Sequence, residues 1–397
     1  MLLILSNGHG EDLLAAKLAL QIRELAPEIE LQSLPVVGEG APLVQAGLPL
    51  LYPGRSFPSG GFVRSGLSYL LADIRAGFWQ HWRNQGRALR KVAPAVKLTL
   101  AVGDSVLLYL SRRHLKKPLI FVPTAKSNYI RPHLPFEVRW MQETAALVFP
   151  RDAYTAEALA GQEVPARFVG NLMMDSIDLH GYDLGLEDYG ADQGLPPVIG
   201  VLPGSRDEAY QNFTLLAQAA EVYANKYGKA AFPVALAGNI EAERLSRWLI
   251  EEGWVAKPET SPGVSAAFSK GKAYLLLCQG AFGDILYRSD LVLGLAGTGN
   301  EQAAGLGRPV VTFTGLGSQF TPKFVAAQKK LLGSAVSVVY GSDPKAPPAP
   351  ELVANELQRI LTNPEVQAEM VKTGQERMGG PGGVRAMAQE TIAFYRQ

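Results

Sequence analysis

At 397 residues the chain has the length of two or three domains. A composition of 47% hydrophobic and 19% charged residues excludes a disordered chain, and a net charge of +1 excludes a global attraction to nucleic acid. The single cysteine, Cys278, excludes an intramolecular disulfide and a cysteine-based metal cluster. Charge is unevenly spread: of 38 Lys+Arg and 37 Asp+Glu, residues 1–170 hold 19 and 13, and the remainder 19 and 24. A basic first half suits a membrane surface or an anionic ligand. Met1 to Ser6 is too short for a signal peptide and lacks its basic flank, and no uncharged apolar run reaches about 18 residues. These features predict a cytoplasmic protein, soluble or peripheral to the inner face of the plasma membrane.

The apolar run Leu2 to Leu5 predicts a strand buried on both faces. Asn7 to Asp12 then forms a turn, and Leu13 to Leu25 an amphipathic helix. The third glycine of a dinucleotide fingerprint is missing and no Walker lysine follows. The turn does place His9, Glu11 and Asp12 at a sheet edge. His9 is a candidate general base and the carboxylates its partners; alternatively Asp12 caps the helix. Further strands are expected at Glu30 to Val37 and Leu48 to Tyr52, with a short helix, Ala41 to Ala46, between them. Phe57 to Pro94 mixes aromatic residues, among them Phe62, Trp79 and Trp82, with arginines such as Arg83. That is the composition of an interfacial helix bedding into lipid headgroups, or of a core helix with solvated arginines.

Val96 to Val102 predicts a strand ending in Gly103-Asp104, a second carboxylate at a strand terminus. A helix follows, Ser105 to Arg112, then a strand, Leu119 to Val122. Lys126 to Arg139 reads as a polar loop, with Lys126, Asn128 and Arg131 suited to an anionic or sugar acceptor. Ala145 to Phe149 and Arg167 to Val169 predict strands flanking a helix, Asp152 to Ala160. Six or seven such βα units in residues 1–172 make a doubly wound domain. Residues 173–197 lack periodicity and read as linker.

The second domain, residues 198–378, opens with the strand Val198 to Leu202. Gly204, Ser205 and Arg206 follow before a helix from Asp207 to Lys226. A strand, a glycine turn with Ser and Arg, and a helix N-terminus together make an anion cradle. Gly238 and Asn239 end the next strand, Val234 to Ala237, and Gln279 ends Tyr274 to Cys278 as a base-contacting candidate. Leu291 to Leu293 leads into Gly297, Thr298, Gly299, Asn300 and Glu301, where a helix N-terminus faces a phosphate and Glu301 accepts from a ribose diol. Thr314 to Phe320, with Gln319, is a polar glycine loop suited to a sugar. Residues 379–397 add a glycine-rich break and a last helix. No metal-binding motif such as DxD is evident.

Val201 to Arg206, and Gly297 to Glu301 with Ala303 to Val310, resemble the donor-site motifs of GT-B glycosyltransferases, and Gly170-Asn171-Leu172 resembles a GNP-type motif that closes the first domain. The closer resemblance is to lipid-A-disaccharide synthase, whose LPGSR turn, SGTATLE-type turn and strand-end aspartate (here Asp104) match in order over most of the chain. Departures fall mainly on the acceptor side. Asn7 to Asp12 replaces GEASGD, Leu172 replaces a proline, and Pro123 to Tyr129 replaces an SPSVWAW-like segment. The resemblance implies an α/β fold of two Rossmann-like domains facing a cleft, with the last helix crossing back to the first domain. It further implies metal-independent, inverting transfer from a UDP-sugar to a lipid-linked acceptor at the membrane surface, with no cofactor and no nucleic acid. A synthase-related branch of the kind found in cyanobacteria fits the departures. A UDP-sugar 2-epimerase of the same fold, or a non-catalytic nucleotide-sugar-binding protein, is the alternative.

Overall fold

A computed structural model describes residues 1–57, 74–186, 196–258, 261–317 and 320–397, and of His9 the backbone alone. The chain divides into two compact units: Met1–Ser176 with Pro381–Gln397, and Ile177–Gly380.

The first unit carries strands β1 (Leu2–Ser6), β2 (Leu31–Pro35), β3 (Leu98–Gly103), β4 (Leu119–Pro123) and β5 (Ala145–Val148). All are parallel, in the order β2-β1-β3-β4-β5. Every residue of β1, β3 and β4 is buried, as expected of a parallel sheet covered by helices on both faces. Two expected strands are absent. Leu48 to Tyr52 reduces to one bridge, Ser33 to Leu50, and Arg167 to Val169 forms none, the one bridge nearby joining Val148 to Ala166. Pro49 lies in the first of these segments and cannot donate to a ladder. The expected polar loop is also shorter, because a helix, Pro135–Thr144, starts inside it. Proline opens that helix, and Glu137 accepts from the Leu134 N–H at 2.8 Å, satisfying a terminal donor.

The second unit carries β6 (Ile199–Leu202), β7 (Ala230–Leu236), β8 (Val255–Lys257), β9 (Val264–Lys270), β10 (Ala273–Gln279), β11 (Leu291–Gly294), β12 (Val310–Phe313) and β13 (Val336–Val339). Their order is β13-β12-β11-β6-β7-β10-β9-β8. β9 runs antiparallel to both neighbours, β10 and β8. The sequence reading missed β8, β9 and β13. β8 is exposed throughout and β13 is only half buried, so neither shows a continuous apolar run. Part of the expected linker is ordered on this unit. Asp284, 3% exposed, accepts from the N–H groups of His180, Gly181 and Tyr182, and Leu184 is wholly buried beside Ile285.

The last helix, Gly383–Arg396, belongs to the first unit. It buries Val384, Met387, Ala388 and Ile392 in the same core as Leu18 and Ile22 of the His9–Leu25 helix. Backbones meet where it starts: a Cβ on Gly170, at φ +123°, would lie 2.5 Å from the Gly383 Cα. Asp175 fixes the entry, accepting from the Gly382 N–H at 2.6 Å and the Val384 N–H at 2.9 Å. These are the orphan donors of the helix N-terminus. Replacing Asp175 by alanine should cost about 1–2 kcal/mol, the range of a lost N-cap. Hydrogen exchange should then show roughly tenfold lower protection over residues 383–396; unchanged protection would mean that packing alone holds the helix.

Candidate functional site

In an open parallel sheet, ligands bind beyond the strand C-termini where the strand order reverses. The second unit reverses between β6 and β11, which pair with Gly294 opposite Leu202. A cavity of about 380 Å³ opens there. Gly204, Ser205 and Arg206, after β6, form one wall, and Ala296 to Gly299, after β11, the other. The helix Gly297–Gly305 starts in that wall, with Ala296 as its N-cap residue and no side-chain cap. Its first N–H groups are therefore available to an anion, and the helix dipole favours one. Arg206 is exposed on the opposite wall.

Six of the expected donor-site residues line this cavity: Gly204, Ser205, Arg206, Gly297, Thr298 and Gly299. Others do not. Asn239 donates to the Ser205 carbonyl at 3.0 Å and so braces the loop. Gln279 donates to the Ile240 carbonyl at 3.1 Å, and Gly238 is exposed beside Ala237, which does line the cavity. Asn300 is wholly buried, donating to the Gly294 carbonyl and to Gln328, each at 3.0 Å. Glu301 is half-buried and lies outside the lining. Gln319 falls outside the described residues. Sequence reasoning missed Gln302 and Phe282, which do line the cavity. Thr298 and Gln302 are four apart on one helix and share a face, which was the available signal.

The first unit reverses between β1 and β3, with Ser6 opposite Val102. His9 starts the helix that follows β1, so the expected turn is already helical. Asp12 is 1% exposed and accepts from Ser6 Oγ at 2.5 Å; Gly8 occupies the N-cap position, with no side-chain cap. Glu11 accepts from Thr124 Oγ1 at 3.3 Å. Asp104 caps the helix Ser105–Leu110, accepting from the Val106 N–H at 2.9 Å, while its own N–H donates to Asn7 Oδ1 at 3.3 Å. Asp104 and Lys126 share a small cavity of about 40 Å³ with His133 and Glu137. Lys126 pairs with Glu137. Asn128 is half-buried and its N–H donates to Thr155 Oγ1 at 2.9 Å; Arg131 is exposed.

The segment expected to meet lipid is described from Ile74 onward, so Phe62 lies outside the described residues. The helix Phe78–Val92 contains Arg83, Arg87, Arg90 and Lys91 and no carboxylate. Its inner face docks through Gln85, which donates to the Pro35 and Val36 carbonyls at 3.1 Å. Its outer face starts an aromatic ladder. Phe78 stacks on Trp82, Trp82 on Tyr109, Tyr109 meets Trp140, and Trp140 meets Phe136, with centroids 5.1 to 6.4 Å apart. Trp82 is thus held between rings, whereas Trp79, Tyr109 and Phe136 are 54%, 40% and 46% exposed. No helix among the described residues is long and apolar enough to cross a membrane.

No protein-family model matches the chain, and no curated protein does. Solved structures do. MurG of Acinetobacter baumannii aligns with a TM-score of 0.61 at 15% identity, covering 99% of this chain and 100% of its own. MnaA of S. aureus, solved with UDP, gives 0.60 at 14%, covering 100% and 97%. The UDP-GlcNAc 2-epimerase of Neisseria meningitidis, bound to UDP-GlcNAc, gives 0.57 at 15%, covering 99% and 100%. The chain has the GT-B fold.

Glu137 tests the first-unit cluster independently of any ligand. Burial would raise its carboxyl, but His133, Lys126 and the Leu134 N–H outweigh that and bring it from 4.5 to about 2. A value lowered on folding gives stability that is full above pH 4.5 and is lost as pH falls toward 2. The shift corresponds to about 3 kcal/mol. Calorimetric melts of Glu137→Gln should therefore fall below wild type at pH 7 and converge with it toward pH 2. Parallel pH dependences would show that Glu137 is not held ionised.

Proposed function

We propose that the chain is a glycosyltransferase that takes a sugar from a UDP-sugar and passes it to a hydroxyl of a lipid-linked acceptor. The observation that carries the donor class is the helix N-terminus at Gly297–Gly299 facing the loop Gly204–Arg206 across one cavity, at the point where the strand order reverses. That arrangement suits a nucleotide diphosphate, and two of the similar structures are described with UDP or UDP-GlcNAc bound. In this reading the acceptor oxygen bonds to the anomeric carbon as the bond to the β-phosphate oxygen breaks. The leaving UDP takes the electron pair, and attack from the opposite face inverts the centre. Arg206 and the helix N-terminus stabilise the charge gathering on the diphosphate, so the mechanism is written without a metal. The acceptor proton goes to a base among His9, Glu11 and Asp104, at the strand ends of the first unit. Glu301 is assigned to the ribose diol.

The aromatic ladder supports a lipid acceptor. Exposed Trp79 and Phe136 beside a helix of four cations and no carboxylate match the interface of an anionic membrane. An enzyme that only inverts a sugar carbon within its nucleotide has no use for such a surface. The assigned location is the cytoplasmic face of the membrane, peripherally bound.

Arg206→Ala should weaken UDP binding by about tenfold, the scale of one charge-assisted contact; calorimetry giving wild-type affinity would place the diphosphate elsewhere. Vesicles of phosphatidylglycerol should pellet the wild type at low salt and leave a Trp79→Ser/Phe136→Ser double variant in solution. Failure of the wild type to pellet would sink the membrane assignment. A panel of UDP-sugars incubated with such vesicles plus a hexosyl diacylglycerol, read by mass spectrometry, separates the activities. A new glycolipid supports transfer, whereas a C2 epimer of the UDP-sugar without glycolipid means the epimerase reading is the right one.

A further inference from the structure

The small cavity behind Asp104 contains a histidine whose ring makes no hydrogen bond to the described residues. His133 lines it with its side chain 4% exposed, yet neither ring nitrogen has a hydrogen-bond partner among the described residues. Glu137 Oε2 lies 3.7 Å from Nδ1, beyond hydrogen-bond reach. Glu137 accepts its hydrogen bonds from Lys126 and the Leu134 N–H. Buried polar groups are normally satisfied, and an unpaired one in a cavity points to a small polar occupant.

The surroundings narrow what that occupant is. Lys126 and Glu137 neutralise one another, so the wall carries no spare positive charge for a phosphate or carboxylate, which would also face Asp104. An imidazole has a ring nitrogen on each of two edges, and a hydroxyl group, which both donates and accepts, complements either. Phe121 and Met141, which are 1% and 0% exposed, close the apolar side. A volume of about 40 Å³ accommodates water or a hydroxymethyl group, not a sugar ring.

We propose that this cavity is a hydroxyl-binding subsite, filled by water in the free protein and by one hydroxyl of the acceptor in the complex, with His133 as its positioning residue. The inference rests on the assignment of the acceptor to the first unit. Its location fits that role, since Gly103 and Asp104 at the β3 terminus form part of the same wall.

A crystal structure of the full chain that resolves solvent should show water within about 3.2 Å of a His133 ring nitrogen. A dry cavity, or a ring bonded directly to Glu137, overturns the proposal. Two variants then test the function with UDP-GlcNAc and vesicles carrying a hexosyl diacylglycerol as acceptor probe. His133→Phe fills the space without hydrogen bonding and should raise the acceptor KM about tenfold or more, with kcat and UDP affinity within about threefold of wild type. His133→Gln keeps a donor and an acceptor and should restore the acceptor KM. An equal rise in both variants, or loss of UDP affinity, marks a structural role and overturns the positioning role. If the wild type makes no glycolipid, the transferase reading fails on its own, and the crystallographic water decides whether the subsite exists.

Discussion

The cavity between the Gly204–Arg206 loop and the Gly297–Gly305 helix depends on one buried amide. Asn300 donates to the Gly294 carbonyl at the end of β11 and to Gln328 Oε1, and Gln328 donates back to the carbonyls of Ala296 and Gly297 at 3.2 Å. Thr312 Oγ1, on β12, donates to the same Gly294 carbonyl at 2.7 Å. Strand end, helix start and the neighbouring helix Pro322–Leu332 are thereby tied at one point. The network leaves the first N–H groups of Gly297–Gly305 facing outward, at a fixed place, with no side chain capping them. An anion site made of backbone needs such bracing, because backbone dipoles are useful only when they are already aimed.

The first unit repeats the device at its own strand reversal. A Cβ on Gly294 would lie 1.9 Å from Asn300 Oδ1, and a Cβ on Gly103 would lie 1.9 Å from Asn7 Oδ1. In each unit a glycine ends the strand and an asparagine amide occupies the space its side chain would need. The outcomes diverge from there. Asn300 frees a helix N-terminus, whereas Asn7 accepts from the Asp104 N–H and sits beside a helix that Asp104 caps with its own carboxylate. One unit therefore presents backbone donors, suited to a diphosphate. The other presents carboxylates, a lysine and a histidine, His133, suited to hydroxyl groups and protons.

Much of this was legible in the sequence where burial writes a continuous apolar run. β1, β3, β4, β6 and β11 were read within one or two residues, and the two glycine turns singled out in the second domain line one cavity. Elements without that signature were lost: β8 has no buried residue. Leu48 to Tyr52 has the apolar residues of a strand but also a proline, and forms a single bridge. Within the site, residue types were read more reliably than facing. Asn300 and Glu301 were expected in the cavity, but a helix starting at Gly297 turns Thr298 and Gln302 toward it and Asn300 into the core. His133 was legible only as one polar residue in a loop, because its burial depends on a helix that starts two residues later.

The fold is shared by glycosyltransferases and 2-epimerases, which both align at TM-scores near 0.6, so the choice between them rests on the first unit. An epimerase returns the same nucleotide-sugar with one carbon inverted and takes no second substrate, so its first unit needs only groups that reach that sugar. This first unit also carries rings from three successive helices in one ladder, with exposed members at several points and arginines beside them. Exposed tryptophan and phenylalanine cost solvation unless something covers them. In the proposed function a membrane covers this surface and supplies the hydroxyl-bearing lipid, and the aromatic ladder is therefore the feature on which the choice of transfer rests.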